Sequence, residues 1–167
     1  MLTFTRKLAA IAVSLSLALP LAAQADPAKG PETVTQTRYG GADSLHCLTE
    51  ALYFEARGEG RSGQRAVAEV ILNRVDSRTF PNSVCGVVHQ RGQFTYNKGR
   101  RMSNAAAAAR ARQIAANALA GAPRTLTNGA TYFHTTNVRP GWSKRFTRTT
   151  KIGSHVFYRQ GRRVATN

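Results

Sequence analysis

The spacing of apolar residues changes once along the chain, near Gly121, and this change constrains the fold more than any other feature. Before Gly121, apolar residues recur every three or four positions, as they do on one face of a helix. After it, short runs rich in β-branched and aromatic residues are typical of strands. We therefore predict an α+β fold, with helices first and a small antiparallel sheet near the C-terminus.

Turn and capping residues set the predicted bounds of these elements. Asp43 or Ser44 is expected to cap the first helix and Ser62 the second. The predicted helices run over about 44–56, 62–75 and 103–120, with a short apolar piece at 84–88 before the third. The predicted strands cover 130–135, 147–152 and 155–159, and the last two are joined around Gly153 and Ser154.

The first 25 residues have the features of a signal peptide. Arg6 and Lys7 precede an apolar run of 12 residues at 8–19, and a small-x-small site ends at Ala25. Twelve residues of helix span only about 18 Å, against roughly 30 Å for the hydrocarbon core of a bilayer. We therefore expect cleavage after Ala25 and export to the periplasm or beyond, with a retained anchor as the alternative.

The remaining chain is expected to hold one folded domain. Proline and glycine without apolar periodicity indicate a flexible linker at 26–41, the domain covers 42–160, and 161–167 form a tail. Export favours a disulfide between the two cysteines, Cys47 and Cys85, and two buried thiols are the alternative. We expect a monomer.

The charged residues are strongly segregated along the chain. All eight acidic residues lie between Asp26 and Asp76, whereas 77–167 contain 16 Lys and Arg and no carboxylate. A surface of this composition binds polyanions, and nucleic acid is the usual partner. Export argues against nucleic acid and favours anionic polymers of the cell envelope, while a basic face that only aids solubility is the alternative.

The helical phase selects one glutamate as a candidate acid. Glu55 continues the stripe of the first helix that is formed by Leu45, Leu48 and Leu52. The same phase points Glu50 to the opposite side and places Glu69 away from the apolar face of the second helix. A carboxyl group held in an apolar setting has a raised pKa, which suits a general acid. The alternative is a structural ion pair between Glu55 and Arg57.

Several separated motifs resemble those of the spore-cortex-lytic cell-wall hydrolases of the SleB/CwlJ type. They occur in the family's order, from YFEARGEG at 53–60 through GQRAVA at 63–68, VILNRV at 70–75, PNSVCGVV at 81–88, QF at 93–94 and ATYFH at 130–134 to IGSHVFY at 152–158. The resemblance implies a peptidoglycan-cleaving domain with a lysozyme-like or lytic-transglycosylase-like fold and active site. It also implies that Glu55, the first glutamate of the EARGE motif, is the catalytic acid.

A single acid is sufficient for lytic transglycosylase chemistry. Glu55 would protonate the glycosidic oxygen and then, as a carboxylate, remove the proton of the muramic acid C6 hydroxyl as this closes on C1. Simple hydrolysis stays open, with Glu59 as a possible second carboxylate. Six further residues are candidates for binding the sugar chain by hydrogen bonds or ring stacking: Gln93, Phe94, Tyr96, His134, Thr135 and Trp142.

Two other functions remain open at this point. A zinc amidase would draw its ligands from His46, His89, His134 and His155, but these show no close-spaced ligand pair, and we expect neither a metal nor another cofactor. A basic module without enzymatic activity would bind anionic wall polymers, with an affinity that falls steeply with salt.

Overall fold

The computed structural model describes residues 39–94 and 96–161. The predicted signal peptide, most of the predicted linker and all but the first residue of the predicted tail lie outside these residues. No helix in 39–94 or 96–161 is both long and apolar enough to cross a membrane.

Four helices make up the first part of the domain, and their bounds agree with the predicted ones to within about two residues. They are α1 (Ala42–Ala56), α2 (Arg61–Asp76), the short α3 (Val84–Val88) and α4 (Ala105–Leu119). The predicted caps of α1 and α2 are wrong. These helices follow Gly41 and Gly60 and receive no side-chain cap, because Asp43, Ser44 and Ser62 already lie within the helical turns. Ser83 caps α3 and Asn104 caps α4.

The C-terminal part is a three-stranded antiparallel sheet with the order β1-β3-β2. Its strands are β1 (Tyr132–Thr135), β2 (Thr147–Ile152) and β3 (His155–Arg159), and a 3-10 turn at Gly141–Lys144 lies between β1 and β2. The predicted bounds of β2 and β3 are confirmed. β1 begins two residues later than predicted, and the α+β fold class is confirmed.

The main core lies between the four helices. Leu48 and Leu52 of α1 and Ile71 of α2 are fully buried, and α4 contributes Ala111. Alanine side chains let α4 approach α1 and α2 closely, which explains why an alanine-rich segment is a packed helix. Burying each of the larger side chains contributes about 1.5–3 kcal/mol.

A second, smaller core fixes the sheet to α2. Phe157 of β3 is fully buried against Ala66 and Val70, which lie on the side of α2 that faces the sheet, and Ala130 completes the cluster. The sheet therefore has an inner face against α2 and an outer face that bears Tyr132, His134, Val156 and Tyr158 in the observed register.

Two contacts tie the N-terminal end of the domain to its core. A disulfide joins Cys47 of α1 to Cys85 of α3, which confirms the predicted pairing. Tyr39 is buried and its hydroxyl donates to Asp76, which also pairs with Arg124 at 2.8 Å. The folded domain thus includes Tyr39, which the prediction placed in the linker.

Candidate active site

Two glutamates of α1 and α2 are buried where the helical phase predicts exposure. Glu50 is 3% exposed and Glu69 is 4% exposed, although the phase pointed both away from the apolar faces. The reason is that α1 and α2 are covered on several sides: by other helices, by the sheet and by the loops that follow α3 and α4. A single apolar stripe therefore does not identify the buried face of such a helix.

Both buried glutamates hold loops in place. The Glu50 carboxylate accepts a 2.6 Å hydrogen bond from the backbone N–H of Gly99, in the loop before α4. The Glu69 carboxylate accepts backbone hydrogen bonds from Leu126 and Thr127 and a third from the Thr127 hydroxyl, all between 2.9 and 3.1 Å. Charged acceptors satisfy the buried N–H groups of these loops, so both carboxylates have structural roles.

Glu59 performs the same task for the turn between β2 and β3. Its carboxylate accepts hydrogen bonds from the backbone N–H of Ser154 at 3.3 Å and from the Ser154 hydroxyl, and its Oε1 lies 3.5 Å from Nδ1 of His155. A Cβ atom on Gly153 would overlap the Glu59 carboxylate. Glu59 thus connects the end of α1 to the sheet, and its side chain is only 11% exposed.

Glu55 lies in the last turn of α1 and is partly exposed. The adjacent Phe54 ring stacks on Tyr96 with the ring centroids 4.9 Å apart. Burial, followed by the charges of Glu50 and Glu55, raises the pKa of the Tyr96 hydroxyl, so all three groups share one electrostatic environment. That hydroxyl is buried and has no hydrogen-bond partner among the described residues.

The cation nearest to Glu55 in sequence is engaged with a tyrosine. Arg57 donates a 3.1 Å hydrogen bond to the Tyr53 hydroxyl, and its guanidinium lies 5.1 Å from the centre of the same ring. The Tyr53 hydroxyl also accepts from the backbone N–H of Asn104, so this side chain fixes the start of α4 beside the end of α1.

Two predicted sugar-binding residues in the segment after α3 differ in accessibility. Gln93 is partly exposed and follows a turn in which its N–H bonds to the carbonyl of Gln90. Phe94 is 4% exposed and packs in the main core, with the Arg74 guanidinium 5.7 Å from its ring centre. The predicted stacking role of Phe94 is therefore wrong, because no face of its ring is open to a pyranose.

Two of the other candidates, His134 of β1 and Trp142 of the 3-10 turn, lie together at the outer face of the sheet. His134 accepts or donates a 3.0 Å hydrogen bond through Nε2 to the Tyr158 hydroxyl, and its ring meets Trp142 edge to face at 5.7 Å. Trp142 also contacts Tyr158 and Phe146. Thr135 is exposed at the end of β1, and its pairing with His155 places it on the opposite face from His134.

The predicted binding residues thus fall into two groups, one around Tyr96 and Glu55 and one around His134 and Trp142. Three aromatic residues of the second group, Tyr132, Phe146 and Tyr158, were not predicted to belong to the site. Alternation along β1 and β3 could have identified Tyr132 and Tyr158, because they share the face of His134. Phe146 carries no such signal.

The arrangement of the four histidines bears on the amidase alternative. Within 39–94 and 96–161, no group of three or more His, Cys, Asp and Glu side chains is arranged to hold an ion. His155 is 3% exposed, and burial lowers its pKa. The ligand set of the amidase alternative is therefore not assembled in the described part of the chain.

Fold and site together define a helical domain with a short antiparallel sheet and a glutamate at the end of its first described helix. Residues 58–158 match the model of the cell wall hydrolase family. The chain is 32% identical to the catalytic domain of the Bacillus cereus SleB protein, with a TM-score of 0.55 over 69% of this chain and 88% of that one. It is 31% identical to the catalytic domain of the germination-specific lytic transglycosylase SleB from Bacillus anthracis, with a TM-score of 0.58 over 71% of this chain and 96% of that one.

The chain belongs to the cell wall hydrolase family, which confirms the resemblance inferred from its motifs. It is also 36% identical, over 128 residues, to the spore cortex-lytic enzyme of Halalkalibacterium halodurans. That match covers 75% of this chain and 38% of the relative, so the chain corresponds to a minor part of the longer protein. The family match begins at Gly58 and therefore includes Glu59 but not Glu55.

Proposed function

We propose that this protein is an exported enzyme that cleaves the glycan strands of peptidoglycan, with Glu55 as its catalytic acid. Family membership supports a cell-wall substrate, and the likeness to two SleB catalytic domains supports glycan cleavage. The segment 1–25, with its charged start and apolar run, supports export.

The observation that carries the proposal is the position of Glu55. It is a partly exposed carboxyl group at the end of α1, beside the stacked rings of Phe54 and Tyr96. Burial and then the charges of Glu50 and Glu55 raise the pKa of the Tyr96 hydroxyl, so the carboxyl group of Glu55 lies beside partly buried aromatic rings, a setting that suits a general acid. The roles of Glu50, Glu59 and Glu69 in holding loops support the same assignment.

The geometry of Glu59 favours lytic transglycosylase chemistry over hydrolysis by a carboxylate pair. A base that activates water must present its carboxylate to the substrate, whereas that of Glu59 is bound to Ser154 and lies against His155. In the proposed reaction, Glu55 gives its proton to the departing glycosidic oxygen. The muramic acid C6 oxygen then bonds to C1, and Glu55 takes the C6 hydroxyl proton back.

Replacing Glu55 by glutamine tests the proposal. Glutamine has nearly the same shape but cannot transfer the proton, so turnover of purified peptidoglycan should fall about 10²–10⁴-fold while binding to it is retained. Asp43→Asn is the matched control, because it removes one carboxylate from an exposed position of the same helix. Undiminished turnover by Glu55→Gln would refute the assignment.

A further inference from the structure

A pocket of about 480 Å³ opens on the outer face of the sheet, beside the aromatic group of His134 and Trp142. Its rim carries four basic side chains, from Arg139, Lys144, Arg148 and Lys151. Two of them follow β1 in the connection to β2, and two project from β2 itself. The local fold therefore gathers positive charge from two separate segments at one place.

Among the residues that the structure describes, no carboxylate lines this pocket. The six acidic side chains of the described residues all precede Ser77 in the chain, and they lie in or next to α1 and α2. Four cations without an acidic neighbour in the lining create a strong local positive potential. Because the two guanidinium groups match the planar geometry of a carboxylate or phosphate, the pocket is suited to an anionic ligand.

Hydrogen-bonding groups complete the lining. Ser143 contributes a hydroxyl, and the Tyr158 hydroxyl and His134 imidazole, which bond to each other, form one wall. These groups add hydrogen-bonding partners to the four charges, and a pocket of about 480 Å³ has room for part of a polar chain as well as for a single small ion.

The pocket lies within reach of a peptide attached to a sugar at Glu55. Lys151 precedes Ser154 by three residues, Ser154 contacts Glu59, and Glu59 follows Glu55 by four residues. Three strand residues, the contact between Ser154 and the Glu59 side chain, and the turn and helix residues back to Glu55 give a path on the order of 25 Å, of which the extended Lys151 side chain covers a part. A tetrapeptide extends about 14 Å beyond the sugar that carries it.

We propose that this basic pocket binds the carboxylates of the peptide stem that peptidoglycan carries on its muramic acid residues. The proposal rests on the proposed cleavage of peptidoglycan and adds the part of the substrate that the sheet recognises. The stem carries several carboxylates on one short chain, which matches a rim of four cations. Binding the stem there would orient the attached strand relative to Glu55.

The test compares two soluble, already cleaved fragments, a disaccharide with a tetrapeptide stem and the same disaccharide without it. Calorimetry would measure their affinities for the wild-type protein, for Arg148→Gln/Lys151→Gln and for the control Arg78→Gln/Arg112→Gln. The control removes the same charge from exposed positions outside the pocket. The pocket variant should bind the stem-bearing fragment at least tenfold more weakly, and the control should change this affinity less than twofold.

The affinity for the fragment without a stem should be the same in all three proteins. Equal losses in both variants would mean that only bulk charge matters and would overturn the proposal. The proposal would also be overturned if the pocket variant lost affinity for polyphosphate but kept its affinity for the stem-bearing fragment. The pocket would then be a site for phosphate polymers. Amidating the stem carboxylates should weaken binding of the fragment to the wild-type protein by as much as the pocket variant does. This measurement needs no variant.

These outcomes are separate from the test of the proposed function. The fragments are products of cleavage, so their binding does not depend on turnover. If Glu55→Gln abolishes turnover but the stem has no effect on affinity, only the pocket proposal fails. If Glu55→Gln still cleaves peptidoglycan, the proposed catalytic role fails, while the fragment affinities still decide what the pocket binds.

Discussion

Substituting Gly153 by alanine tests the connection between α1 and the sheet. Gly153 has φ +57°, in the left-handed region that side chains disfavour, and its added Cβ would overlap Oε2 of Glu59. The backbone conformation costs about 1–2 kcal/mol for alanine. Displacing the Glu59 carboxylate would also break its hydrogen bond with the Ser154 N–H, and a bond to a charged group contributes about 1.5–3 kcal/mol.

The expected loss for Gly153→Ala is therefore about 2.5–5 kcal/mol of unfolding free energy, measured by urea denaturation. Gly129→Ala is the matched control. Gly129 also has a left-handed conformation, φ +74°, but its added Cβ would meet only the Arg159 side chain at 4.0 Å. That control should lose only the backbone contribution of about 1–2 kcal/mol.

A double variant separates the two contributions. In a Glu59→Ala background there is no carboxylate to displace, so Gly153→Ala should cost only as much as Gly129→Ala, and the two substitutions should be clearly non-additive. Equal losses at Gly153 and Gly129 in the wild-type background, or strict additivity of the Gly153 and Glu59 substitutions, would refute the structural role given to Glu59.

Two further predictions concern stability. Removing the disulfide by Cys47→Ser/Cys85→Ser should lower the unfolding free energy by about 4 kcal/mol, because the bond closes a loop with a separation of 38 residues. Reductant should destabilise the wild-type protein by the same amount and leave the double variant unchanged. Burial lowers the pKa of His155 below its ordinary 6.5, so the unfolded chain takes up this proton at a higher pH than the folded chain. The unfolding free energy should thus decline as the pH falls below 6.5, which urea titrations at a series of pH values would measure. His155→Asn should make that decline smaller, whereas the control His46→Asn, at an exposed position, should leave it unchanged.

Much of the fold follows from local patterns. The bounds of β2 and β3 agree with the predicted ones, because alternation and the turn at Gly153 and Ser154 define that hairpin locally. The caps of α1 and α2 were mispredicted because glycines precede these helices and the polar residues that resemble caps lie inside the first turn. The burial of Tyr39 depends on Asp76 and Arg124, far away in the chain, and has no local signal.

The site residues also include some that local patterns predict and others that depend on contacts between distant segments. Glu55 was selected by helical phase and by motif, yet the phase failed for Glu50 and Glu69, because their burial results from loops that fold back over α1 and α2. Phe94 is a predicted candidate for stacking on a sugar ring, but its ring is buried in the core beside Arg74. The pocket on the sheet depends on bringing Arg139 beside Lys151, which requires the pairing of β1 and β2 with β3.

Mass spectrometry of the fragments released from purified peptidoglycan tests the central claim most directly. If Glu55 acts alone as acid and then as base, the new ends are anhydromuramic acid, about 18 Da lighter than reducing ends, and Glu55→Gln releases them about 10²–10⁴-fold more slowly. Ordinary reducing ends would contradict the single-acid reaction, and free stem peptides with intact glycan strands would contradict glycan cleavage altogether.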